Sequence, residues 1–223
     1  MSLVNESPKS MAPDRPPAPK GVGKISKSLS AAATRDRLLH ATSHIIQTQG
    51  IERLTLDAVA KEAKVSKGGL LYHFATKEAL IAGVVQSLMD EFDADIEREL
   101  ALDRSPESPG RWLRAYVKAT FNGKPLATKL ISSLVLVATC NPELLQLVQG
   151  KFDAWQQKIL ASGLDPVRAN LVRLATDGFG DAELFGYMPP NPALRQDLLA
   201  MLLAMIQEAE SDDIHITKVL EQR

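Results

Sequence analysis

The residues with the most chemistry to offer lie in one short stretch, SKGGLLYHFATKEAL, at positions 66–80. Ser66 opens it, and Lys67, Gly68 and Gly69 follow, with Tyr72, His73 and Lys77 behind. Glycine within a helix costs about 1 kcal/mol relative to alanine, so two adjacent glycines need a reason. Lacking a Cβ, they let another surface come close to the backbone. The free N–H groups and positive end of a helix suit a phosphate. The competing reading is a glycine-rich turn that opens an ordinary short helix, and the local pattern does not decide between the two.

The elements that must position this stretch are all helical. Leu38, Ala41, Ile45 and Ile46 recur at helical spacing until Gly50 stops the run. Thr55 is a suitable N-cap for a second helix whose apolar stripe is Leu56, Val59, Ala60 and Ala63. The spacing predicts helices at about 35–49, 55–63 and 67–74, the last two joined by a tight turn at 64–66. That is a helix-turn-helix, which lays its second helix in the DNA major groove. Thr76 then caps a long helix to about Leu100, apolar at Leu80, Val84, Leu88, Phe92 and Ile96. Downstream, Ser108-Pro109, Asn141-Pro142, Asp165-Pro166 and Asn191-Pro192 each set a capping side chain before proline. They predict helices starting near 109, 142, 166 and 192, with another at 125–139. No alternating strand pattern occurs, so the expected class is all-α.

Composition narrows the function. The 223 residues are 45% hydrophobic and 24% charged, as in ordinary globular proteins. No apolar run reaches the roughly 20 residues of a membrane helix, and LISSLVLVATC at 130–140 is too short. No secretory signal is visible, and Cys140, the sole cysteine, excludes an internal disulfide and fits a reducing cytoplasm. The net charge of −1 hides an asymmetry. Residues 1–80 carry 12 Lys+Arg against 7 Asp+Glu, a net of +5, and the rest carry 14 against 20, a net of −6. The basic front half is therefore the part suited to a polyanion. Pro8, Pro13, Pro16, Pro17 and Pro19 mark residues 1–33 as a disordered basic tail.

Residues 35–80 resemble the N-terminal domain of the TetR/AcrR family of transcriptional regulators. The resemblance rests on LTLDAVAKEAKVSKGGLLYHFATKEAL at 54–80: an apolar-spaced helix, Ser66-Lys67-Gly68, Leu70, Tyr72-His73-Phe74 and Lys77-Glu78-Ala79-Leu80. It covers about a fifth of the chain, and ATDGFGDAELFG at 175–186 also looks like a late helix of some members. It implies a DNA-binding domain at 34–80, a helical effector-binding and dimerisation domain at 81–213, and a C-terminal tail at 214–223. It implies that Thr55, Ser66, Lys67, Gly68, Gly69, Leu71, Tyr72, His73 and Lys77 lie at the DNA surface, with Leu70 and Phe74 packed inward. Gly69 and Leu71 depart from the family pattern, which often has a small polar residue and an aromatic there. The implied partners are a double-stranded operator, a second copy of the chain and an apolar or amphipathic small-molecule effector. The implied activity is repression released by that effector, with no enzyme activity, cofactor, metal or membrane. A helical ligand-binding or scaffold protein whose basic module meets another anion is the alternative, and a helical enzyme a more distant one.

Within the back half, Trp112, Tyr116, Phe121, Phe152 and Trp155 are the candidates for an effector pocket, against a plain core role. LLAMLLAMI at 198–206 is apolar on more than one stripe. That makes Leu199, Leu202 and Met205, with Phe179, Leu184 and Phe185 on the preceding helix, the candidates for a dimer interface. The alternative is that the last-helix residues are internal core. His40 and His44 have a metal-compatible spacing but no third ligand, and read as a solvated face. Cys140 reads as a small core residue, and the acidic run at 90–99 as the wet side of a helix.

Overall fold

The computed structural model describes residues 22–123, 125–187 and 189–221. Helix α1 spans Val22–Gln49, α2 Leu56–Glu62, α3 Lys67–His73 and α4 Lys77–Leu102. Arg111–Phe121 is α5, Pro125–Thr139 α6, Pro142–Leu160 α7, Pro166–Phe185 α8 and Pro192–Glu221 α9. A 3-10 turn at Ile51–Arg53 joins α1 to α2. No strand occurs among the described residues; the chain is an all-α protein.

Local chemistry explains most boundaries. Gly50 turns the chain at φ 90°, where only glycine is at ease. The side chains of Thr55, Ser66 and Thr76 accept the backbone N–H groups of Ala58, Gly69 and Ala79, each at 3.1 Å. Asn141, Asp165 and Asn191 cap α7, α8 and α9 directly before their prolines. The fourth such pair behaves differently. Ser108 donates its hydroxyl to Glu210 at 2.7 Å, and α5 starts at Arg111 after an uncapped Gly110.

Both ends differ from the sequence expectation. Helix α1 begins at Val22, so helix replaces tail over 22–33, while residues 1–21 lie outside the described residues. Helix α9 continues to Glu221 and takes in 214–221, expected as tail. Cys140 is exposed at the end of α6, not a core residue. Its backbone N–H bonds Val137 O at 3.1 Å in the turn that ends the helix.

Leu38, Ile45, Ile46, Leu54, Val59, Leu70, Phe74, Leu80 and Val84 bury one core, which also takes in Leu130, Leu134 and Ala138 of α6 and Leu144 of α7. Helices α1 and α4, which flank the helix-turn-helix, are the ones that rest on α6 and α7. A second core joins Leu113, Val117 and Phe121 of α5 to Ile159, Val172, Phe179, Leu202 and Ile206. Ile96, Tyr116 and Trp155 form a third, with Phe92 against it. Arg114 ties three elements together. Its guanidinium bonds Asp103 just past α4 at 2.8 and 2.9 Å, Ser108 Oγ at 2.7 Å, and pairs with Glu210 of α9.

Candidate nucleic-acid interface

Between α2 and α3 the chain reverses through Lys64, which takes φ 53°. This costs a non-glycine residue some strain and sets α3 across α2. Leu70 is fully buried and Phe74 nearly so, so two anchors hold α3 by its inner face. The Arg35 guanidinium lies over the Phe74 ring, 5.3 Å from its centroid.

The outer face carries the other residues singled out in the sequence. Tyr72 is 82% exposed and Leu71 41%. His73 is half-buried and meets Tyr72 edge-on with ring centroids 5.1 Å apart. The two glycines divide the work. A Cβ on Gly68 would meet nothing within 4 Å, whereas one on Gly69 would stand 2.9 Å from Val65 Cγ1 and 3.2 Å from Ser66 Oγ. Gly69 thus lets the turn close and the cap form, and Gly68 leaves open surface at the helix head. Thr55 and Ser66 spend their hydroxyls on capping, which leaves each oxygen's own proton for another acceptor.

The lysines already have partners. Lys67 Nζ lies 3.0 Å from Asp57 Oδ1 in the first turn of α2. Lys77, half-buried at the head of α4, donates to Ile51 O at 3.3 Å and so ties α4 to the turn before α2. Sequence reasoning passed over Asp57, although its place beside the Thr55 cap was a usable signal. His40 and His44 are both exposed, and His44 Nδ1 pairs with Glu62 at 3.0 Å.

The aromatic candidates separate into two groups. Trp112 stacks on Tyr116 with centroids 5.4 Å apart, and Tyr116 and Trp155 both meet Phe92 of α4 edge-on. Phe152, 45% exposed, lies edge-on to Trp155. Phe121 does not join them; it stacks on Phe179 at 3.8 Å in the second core. Phe92 was legible only as one member of the α4 stripe. Tyr116 OH donates to Asp177 at 2.7 Å, and burial together with that carboxylate pushes the Tyr116 pKa up. Burial also works to raise Asp93, but hydrogen bonds from Lys151 and Trp155 outweigh it and hold the carboxyl below its usual value. Burial and neighbouring Asp177 push Asp181 up. Trp112 Nε1 is buried and has no hydrogen-bond partner among the described residues.

The candidates for a dimer face separate as well. Phe179 and Leu202 are buried within their own chain, and Leu199 and Met205 pack against the same core, as the internal reading allowed. Leu184 is half-buried and Phe185 exposed. The outward apolar residues are Val167, Leu171 and Leu174 on α8 and Leu194, Leu198 and Met201 on α9. Each set runs at i, i+4, i+7, one stripe per helix.

Two family models match, and they match in this order along the chain. The tetR family of bacterial regulatory proteins covers residues 38–84, and the tetracyclin repressor-like C-terminal domain covers residues 110–207. This chain belongs to the TetR family of transcriptional regulators. A curated relative, the HTH-type transcriptional regulator SrpR of Pseudomonas putida, is 31% identical over 78 residues, 35% of this chain and 37% of that protein. The chain thus spans well under two thirds of the length of the curated relatives it matches. A TetR-family structure from Streptomyces coelicolor A3 is 25% identical, with a TM-score of 0.59 over 76% of this chain and 97% of that one. The multidrug binding protein EbrR complexed with malachite green is also 25% identical, with a TM-score of 0.56 over 75% and 96%. Among the described residues of this TetR-family chain, no single helix is long and apolar enough to cross a membrane.

Proposed function

We propose that this chain binds a palindromic DNA operator as a homodimer, acts as a repressor, and is released by a small apolar or amphipathic effector. The observation that carries the reading is the outer face of α3: Leu71 and Tyr72 exposed beside an unobstructed Gly68 and an exposed Lys67, on a helix fixed from beneath by Leu70 and Phe74. Such a face can enter a major groove without rearranging the core. Leu71 offers apolar contact, as to a thymine methyl. Lys67, Tyr72, His73 and Lys77 offer donors to phosphate. One recognition helix reads only a few base pairs, so two half-sites related by a two-fold axis supply useful specificity. The outward stripes of α8 and α9 are apolar surface of the kind a second copy covers. The rings of Phe92, Trp112, Tyr116 and Trp155, with Phe152 at the rim, are the surface an effector would part. EbrR, which binds malachite green, shows the same fold with such a ligand aboard.

Selection of bound fragments from genomic DNA, followed by titration of the recovered duplex, tests the reading. If each subunit neutralises roughly four phosphates, log K against log salt falls with a slope near −7. Lys67→Ala reduces that slope by about 1 per subunit if its contact is to phosphate. Binding that ignores both salt and this substitution overturns the proposal.

A further inference from the structure

Asp57 and Lys67 form an exposed ion pair between the first turn of α2 and the first residue of α3. Their side chains are 74% and 63% exposed, with Nζ and Oδ1 3.0 Å apart, and exposed pairs of this kind stabilise a protein little. The α2–α3 junction already has its own fastenings in the Thr55 and Ser66 caps and the buried Val59 and Leu70. What the pair does is place a carboxylate against Lys67, the first residue of α3. The module's Glu62 is spent elsewhere, on His44. A carboxylate beside a phosphate backbone is repelled, and a lysine already held by one must exchange partners before it can neutralise a phosphate.

We propose that Asp57 is a restraining residue that holds Lys67 and thereby weakens binding to DNA of arbitrary sequence. The inference rests on the DNA-binding reading above and adds a named electrostatic brake to it. Non-specific binding is almost wholly a matter of phosphate neutralisation. Taking one cation per subunit out of that pool therefore acts most strongly on complexes that have no base contacts to compensate.

The test is a double-substitution cycle on the full chain with a random-sequence duplex of about 20 base pairs. Asp57→Asn is expected to tighten binding about 3- to 5-fold at ~0.1 M salt, the upper end for one exposed charge pair, and to steepen the salt slope. In a Lys67→Met background the gain from Asp57→Asn should fall below about twofold, because the restrained cation is gone. The melting temperature should stay put, and Asp57→Ser repeats the measurement if it does not. A gain that persists without Lys67 means plain through-space repulsion and overturns the restraint, as does no gain or a loss. Wild-type protein that binds no duplex overturns this inference and the DNA-binding reading together. Salt-dependent wild-type binding with no response to Asp57→Asn overturns this inference alone.

Discussion

Gly83 of α4 lies against the ring of Phe74: a Cβ at Gly83 would stand 2.8 Å from Phe74 Cε1 and 2.9 Å from Leu39 Cδ2. The end of α3, α1 and α4 therefore meet at a point where one carbon is missing. Adding it costs about 1–3 kcal/mol as overpacking, against a gain of about 1 kcal/mol from replacing a helical glycine. Phe74 is the neighbour that must give, and it anchors α3. Gly83→Ala is expected to lower the melting temperature by a few degrees and to weaken duplex binding several-fold, with Gly83→Val worse on both counts. Melting and duplex titration of the same samples check it; unchanged binding would show that α3 tolerates movement of its anchor.

The two glycines of α3 should respond oppositely. Gly68→Val meets open space, and valine is no worse a helix former than glycine, so the fold should hold while DNA affinity falls at least tenfold. Gly69→Val crowds Val65 and Ser66 and should lower stability first, by about 1–3 kcal/mol. Circular-dichroism melting separates the two, and a Gly68→Val variant that binds normally would assign both glycines to the turn.

How much of this was legible depended on the range of the interaction. The caps at Thr55, Thr76, Asn141, Asp165 and Asn191 act over three residues, and the sequence displays both partners at once. Ser108 failed as a cap signal because its hydroxyl bonds Glu210, far along the chain. The glycines show the same division. Gly50 announced a helix stop locally, but Gly83 answers to Leu39 and Phe74, and no local pattern names those partners. Phe121 looked like its aromatic neighbours until α8 brought Phe179 beneath it. Periodicity likewise marked α9 as over-apolar without saying which stripe faces inward; Leu202 does and Met201 does not.

Asp103 gives the back half a defined acid response. The hydrogen-bonded Arg114 guanidinium holds its carboxyl at about 2, below the ordinary 3.8. Because the folded value is the lower one, the stabilisation is fully present above the unfolded pKa near 4 and is lost as pH falls from there through about 2. Arg114→Met removes the partner and leaves Asp103 and Glu210 without their guanidinium, so it should be clearly less stable at pH 7. The gap in melting temperature between wild type and variant should narrow as pH drops below about 4. A gap that stays constant down to pH 2 would mean that Arg114 acts through packing rather than through Asp103.

The last prediction separates core from interface on α8 and α9. Leu202 is buried beside Ile206 and Phe179, so Leu202→Glu drives a charge into apolar surroundings and should cost several kcal/mol, unfolding the back half. Leu171 and Leu198 are 53% and 37% exposed on the outward stripes, so charge there should leave the single chain folded. If a second copy covers those stripes, Leu171→Glu with Leu198→Glu places like charges within the buried patch and should give folded monomers. Those monomers should also bind a palindromic duplex at least a hundredfold more weakly, because the second half-site is no longer held in register. Sedimentation at micromolar concentration with parallel melting decides the matter. A wild-type chain that is already monomeric, or a double variant that stays dimeric, would move the interface away from these two stripes.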